Sequence, residues 1–169
     1  MKYATFNVLA DAYTSYGDYS HANPELMKPG ARLTHLSHQI NNLGTDVVGL
    51  QEADRSLVEV FEEDENWQSF WTPKGHNKPD GCLTLVKRGV EVADHESYRY
   101  DDESGHVFQV THIGEVALAN THIKWAPEDA RHHIGVRQTQ ELLAALDGHQ
   151  HSYSCRLQRS TWRPCADNG

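Results

Sequence analysis

The chain has 169 residues, 38% of them hydrophobic, and a formal net charge of −9. That length suits one domain with a real core, and no apolar run approaches the ~20 residues a membrane-spanning helix needs. So acidic a chain argues against broad, sequence-blind adhesion to nucleic acid, which relies on a basic surface, but it suits an enzyme whose positive charge arrives with a divalent cation.

The N-terminus Met1-Lys2-Tyr3-Ala4 enters a strand pattern at once, without a signal-peptide core. Residues 2–9 alternate, with Ala4, Phe6 and Val8 on one face and Thr5 and Asn7 on the other. From Ala10 to Gly30 the tyrosines, Gly17, Asn23 and Pro24 mark a loop over the sheet edge, expected to face substrate. Pro29 then opens a predicted helix carrying Leu33, Leu36, Ile40 and Leu43, with Gly44 as its C-cap. The helix leads into a short buried strand, Asp46 to Gln51, expected to pair in parallel with the first and to end by carrying Glu52 past the sheet edge. In open α/β sheets ligands collect at the carboxyl ends of strands, and a carboxylate there can hold a hard cation such as Mg²⁺.

Leu57, Val58 and Phe61 predict a short helix running out in the acidic stretch Glu62 to Glu65. Two strands follow, 68–72 and 82–87, joined by the polar loop Pro73 to Gly81, and further strands are expected at 90–93, 107–110 and 115–120. Pro127-Glu-Asp129 begins a last helix, with Ile134, Gln138, Leu142 and Leu146 on one side and Gly148 as its stop. Residues 151–169 differ in character: they carry a net charge of +2, against −11 for residues 1–150, and show no periodic apolar pattern. A disordered tail is expected there, behind a single domain spanning 1–150. The three cysteines, Cys82, Cys155 and Cys165, lack metal-ligand spacing and fit a reducing, cytoplasmic compartment. The twelve histidines are scattered, and neither His35/His38 nor His132/His133 has the i, i+4 spacing of a helical zinc pair.

Four motifs occur in order: Thr5-Phe-Asn-Val-Leu-Ala-Asp-Ala12, Val47-Val-Gly-Leu-Gln-Glu52, Asp80-Gly-Cys82 and Asn120-Thr-His-Ile-Lys-Trp-Ala-Pro127. Together they resemble the endonuclease/exonuclease/phosphatase superfamily, within it the branch of messenger-RNA deadenylases and nocturnin. The resemblance implies a two-sheet α/β sandwich flanked by helices, of which this chain would form part, and Mg²⁺-dependent phosphoester hydrolysis, with Mn²⁺ as an alternative ion. It implies that Glu52 binds the metal with Asn7 beside it, that His122 contacts the scissile phosphate, and that Pro127 lies beside the bound base. Asn120, Asp80 and Arg32 are further substrate-binding candidates. Asp80 with Gly81 serves equally as a turn, and Trp125 is either core or a stacking platform. Single-stranded RNA or another nucleotide is the expected substrate, with a phosphorylated small molecule, or binding without turnover, as alternatives.

The family pattern continues with a strand closing on Gly-Asp-Phe-Asn and, later, a terminal Ser-Asp-His; neither occurs here. The codons available to Cys155-Arg-Leu-Gln-Arg-Ser160 permit Ala or Val, then Asp-Phe-Asn-Ala, in a shifted frame. A truncated or frameshifted member with impaired activity is therefore expected.

Overall fold

Strand β1 (Tyr3–Asn7) lies parallel to β2 (Val47–Asp54), with Tyr3 opposite Val47 and Asn7 opposite Gln51. The parallel pairing is possible because the chain between them crosses back through helix α1 (Leu33–Asn41). β2 pairs antiparallel with β4 (Asp80–Lys87), and β4 with β3 (Trp67–Pro73), giving the order β1-β2-β4-β3. A second, antiparallel sheet has the order β5-β6-β7, from Asp94–Arg99, Val107–Ile113 and Val116–Thr121. Helix α2 (Arg55–Glu63) follows β2, and α3 (Ile134–Ser160) follows the second sheet. This computed structural model describes residues 1–126 and 134–160, with side chains through Gly148.

Alternation along the strands separates three interfaces. Val48 and Leu50 of β2 and Leu83 and Leu85 of β4 pack with Ile40 of α1 and Leu57, Val58 and Phe61 of α2, all essentially without exposure. On the other side Phe108 and Val110 of β6 meet Tyr100, Leu142, Ala145 and Leu146, so α3 covers the second sheet. Between the sheets the contacts are largely polar. Thr84 Oγ1 donates to Gln109 Oε1 at 2.7 Å, and Gln109 Nε2 donates to the Phe70 carbonyl and Thr72 Oγ1, both at 2.8 Å. The partial two-sheet α/β sandwich implied by the sequence is present.

Several boundaries differ from expectation. The helix expected from Pro29 starts at Leu33, because Gly30 takes a left-handed φ of 76° and breaks the turn before it. The strand expected at 90–93 begins at Asp94. Gly89, at φ 98°, makes a turn closed by Val90 N–H to the Lys87 carbonyl, and the ladder with β6 starts only after it. Gly81 is not a turn residue but lies within β4, where a Cβ would collide with the Thr72 carbonyl. Gly148 does not stop α3, which runs to Ser160, so residues 151–160 are helical instead of a disordered tail. Gly148 does not take a positive φ, and an interior glycine costs a helix only about 1 kcal/mol. Residues 161–169 lie outside those described. Among the described residues no helix is long and apolar enough to cross a membrane.

Candidate active site

Glu52 does not lie beyond the end of β2. It sits inside the strand at a β-bulge, where the register with β4 shifts between Gln51 and Ala53, and its φ is 57°. An extra residue in the left-handed region turns its side chain out of the alternation, so the Glu52 carboxylate, between Gln51 and buried Ala53, can turn towards the end of β1. Two groups from the end of β1 receive it. Asn7 Nδ2 donates to Glu52 Oε1 at 2.9 Å, and the Ala10 N–H donates to Oε2 at 3.3 Å. Asn7 Oδ1 accepts from Leu9 N–H at 2.9 Å. Asn7 thus meets Glu52 with its donor and orients the carboxylate, beside the residue expected to bind the metal.

His122 follows β7 and places Nδ1 3.7 Å from Glu52 Oε1 and 3.4 Å from Lys74 Nζ. Burial, and then the Lys74 ammonium, hold its pKa below the usual histidine range. Lys74 and Asp80 face each other across the mouth of the β3–β4 hairpin, where Lys74 N–H donates to the Asp80 carbonyl and Lys74 Nζ to Asp80 Oδ2. Tyr13 OH donates to Asp80 Oδ1 at 2.7 Å. Burial, and then that bond to Asp80, push the Tyr13 phenol well above its ordinary range. Beside this pair Lys78 Nζ donates to the Ser104 carbonyl at 2.9 Å, and His106 is pushed down to about 4, first by burial and then by Lys74 and Lys78. Lys74 is therefore neutralised by its buried pair with Asp80, and Lys78 is the more exposed cation of the two.

Of the residues singled out in the sequence, Asn7, Glu52 and His122 converge. Asp80 lies beneath them with no exposure, so it cannot touch substrate and instead anchors Lys74 and Tyr13. Asn120, 6% exposed, is also no substrate contact. Its Nδ2 donates to the Leu50 and Leu83 carbonyls and to Thr84 Oγ1, each at 3.2 Å, while Oδ1 accepts from Gln51 Nε2 at 2.8 Å, so it joins the two sheets. Arg32 is committed to the loop after β1, donating to the Val8 and Leu9 carbonyls and to Asp11 Oδ1, and is not available to phosphate. Pro127 lies outside the described residues. Trp125 is 82% exposed, which removes the core reading.

The model of the endonuclease/exonuclease/phosphatase family matches residues 4–155. The chain belongs to that family. No curated protein sequence matches it. Among solved structures, ANGEL2, a 2′,3′-cyclic phosphatase, is similar with a TM-score of 0.73 at 19% identity, covering 85% of this chain and 46% of that one. The human Nocturnin catalytic domain with bound sulfate is similar with a TM-score of 0.57 at 19% identity, covering 85% and 57%. D. rerio TDP2 complexed with single strand DNA product is similar with a TM-score of 0.50 at 14% identity, covering 69% and 46%. The chain spans roughly half the length of these structures, and at such identities the likeness is one of fold.

Endonuclease/exonuclease/phosphatase members are phosphoester hydrolases, and the donors here can be tested against the divalent ion that such chemistry uses. Among the described residues no group of three or more His, Cys, Asp and Glu side chains converges, so no all-protein cage exists. Mg²⁺ does not require one: it keeps several waters and is held by one or two carboxylates plus substrate phosphate. Glu52, its side chain 12% exposed and oriented by Asn7 and Ala10 N–H, fits that role. The sequence reading missed Lys74 and Tyr13. The hairpin it predicted, with a loop from Pro73 to Gly81, already placed Lys74 opposite Asp80, and Tyr13 lay in the loop expected to face substrate.

Proposed function

We propose that the chain is a Mg²⁺-dependent phosphoesterase acting on the ends of single-stranded RNA or other nucleotides, with Mn²⁺ able to replace Mg²⁺ and turnover impaired. The observation that carries the reading is the meeting at Glu52, in the β2 bulge, of Asn7 from the end of β1 at 2.9 Å and His122 from just after β7 at 3.7 Å. The ion, when bound at Glu52, supplies positive charge that offsets the phosphate and lowers the pKa of bound water. Asn7 holds the Glu52 carboxylate in place, and His122, neutral at pH 7 because burial and Lys74 disfavour its cation, offers a hydrogen bond to a phosphate oxygen. Lys78, half-buried beside the site, favours an anionic substrate in an otherwise acidic protein.

Impairment is inferred because, among the described residues, no carboxylate stands free to act as the general base. In-line attack needs a group to take the proton of water, and the carboxylates near the site are occupied: Asp80 by Lys74 and Tyr13, Asp11 by Arg32, and Asp54 as the cap of α2 through Leu57 N–H. A nucleotide substrate agrees with the DNA product held by the similar TDP2 structure and with the 2′,3′-cyclic phosphatase activity of ANGEL2. Turnover of oligo(A), of an oligonucleotide ending in a 2′,3′-cyclic phosphate and of simple phosphomonoesters, each with and without Mg²⁺, tests the reading. Slow Mg²⁺-dependent cleavage of either oligonucleotide is expected; cleavage of monoesters alone, or oligonucleotide binding without any Mg²⁺-dependent turnover, overturns it.

A further inference from the structure

The Nδ1 atom of His122 has two neighbours that ask opposite things of it. An ammonium has only donors, so an Nδ1 engaged by Lys74 must accept; a carboxylate has only acceptors, so an Nδ1 engaged by Glu52 must donate. The Glu52 oxygen is 3.7 Å away, beyond hydrogen-bond reach, and already accepts from Asn7 Nδ2 at 2.9 Å. Lys74 Nζ, at 3.4 Å, is the nearer. Nor is Lys74 free to turn away. Its side chain is 4% exposed and is bound to Asp80, which has no exposure and is held from its other oxygen by Tyr13 OH. An ammonium so enclosed keeps its remaining donors aimed at what surrounds it.

We infer that the Tyr13–Asp80–Lys74 chain fixes His122 in the tautomer protonated at Nε2, which makes Lys74 a positioning residue and His122 a donor at its free nitrogen. Nε2 makes no hydrogen bond to any described residue and the side chain is 32% exposed, so the proton it carries is available to a ligand. A ring in this state can donate to a phosphate oxygen, but at Nε2 it cannot take a proton from an attacking water. The inference rests on the phosphoesterase reading only for the identity of the acceptor; the tautomer itself does not depend on turnover.

Nitrogen-15 NMR of histidine-labelled protein, with His122 assigned by the resonances lost in His122→Gln, reads the tautomer directly. In the wild type, Nδ1 is expected at the shift of a bare ring nitrogen and Nε2 at that of a protonated one. In Lys74→Met combined with Asp80→Asn, which leaves no unpaired buried charge, the two nitrogens should move to the averaged shifts of a tautomer mixture. If that pair fails to fold, Lys74→Arg replaces it: the guanidinium retains a donor and should preserve the Nε2–H form. Protonation at Nδ1 in the wild type or in Lys74→Arg, or an unchanged Nε2–H form in the double variant, overturns the inference. Because the spectrum is recorded without substrate, an inactive chain with the expected tautomer counts against the phosphoesterase reading alone.

Discussion

Asn120 occupies the space that a side chain at Gly49 would need: a Cβ on Gly49 would stand 3.1 Å from Asn120 Cγ. Asn120 cannot retreat, because its amide is tied to Leu50, Leu83, Thr84 and Gln51 at once. Gly49→Ala is therefore expected to destabilise the protein by about 1–3 kcal/mol through overpacking. Asn120→Ala should cost about 1–3 kcal/mol by removing its buried hydrogen bonds to the Leu50 and Leu83 carbonyls, Thr84 and Gln51. Combined, the two changes should cost less than their sum, since removal of the asparagine vacates the space the new methyl needs. Urea unfolding of the three variants measures this, and strict additivity would refute the steric coupling.

The bulge at Glu52 separates function from stability. A non-glycine residue at φ 57° carries backbone strain, so Glu52→Gly should be more stable than Glu52→Ala by about 1 kcal/mol. Both should lose Mg²⁺-dependent turnover, by about 100-fold or more where one charged group is removed from the metal's surroundings. Urea midpoints and initial rates on one oligonucleotide decide it. Equal midpoints would mean that the left-handed conformation at residue 52 is not retained.

How far the sequence could be read follows from which faces are apolar. The parallel β1–β2 pair, α2 and β4 were legible because Val48, Leu50, Leu57, Val58, Phe61, Leu83 and Leu85 keep strand or helix periods against one core. The surface between the sheets was not, because Gln109, Asn120 and Thr84 are polar residues turned inward and satisfied only by partners far away in sequence. A periodicity argument sends such residues to solvent. Strand β5 was displaced for the same reason: Ser97 meets Thr72 Oγ1 at 2.6 Å and the His95 ring stacks on Phe70, so its inward side chains include no aliphatic residue. The site was half legible. Glu52, Asn7 and His122 stand in motifs, whereas the bulge that aims Glu52 has no glycine to announce it, and the substrate roles expected for Asp80, Asn120 and Arg32 dissolve once their buried hydrogen bonds are seen.

Acid should weaken the fold through His106. Burial, with Lys74 and Lys78 nearby, depresses its pKa from 6.5 to about 4. The unfolded chain therefore binds a proton at a higher pH than the folded one. The stabilising contribution is complete above pH 6.5 and is lost as the pH falls from there towards 4. Urea midpoints at pH 7 and pH 5 should show a smaller drop for His106→Gln than for the wild type. Equal drops would mean that other groups carry the acid sensitivity.

Cys82 reports on opening of the core. Its side chain has no exposure, lies between the sheets within 3.8 Å of the Val107 carbonyl, and is pushed up to about 12 by burial. The thiolate is the reactive form, so two barriers protect it: the proton is held, and reagent cannot enter. With Cys155→Ser and Cys165→Ser removing the other thiols, a disulfide reagent should react with native protein only at the rate at which the two sheets separate. Adding Asn120→Ala should then speed labelling in proportion to the lost stability, because a protecting equilibrium weakened by about 1.4 kcal/mol exposes the thiol tenfold more often. Fast labelling of the native protein, unaffected by Asn120→Ala, would show that the thiol is reached by local fluctuation and that the polar seam between the sheets does not guard it.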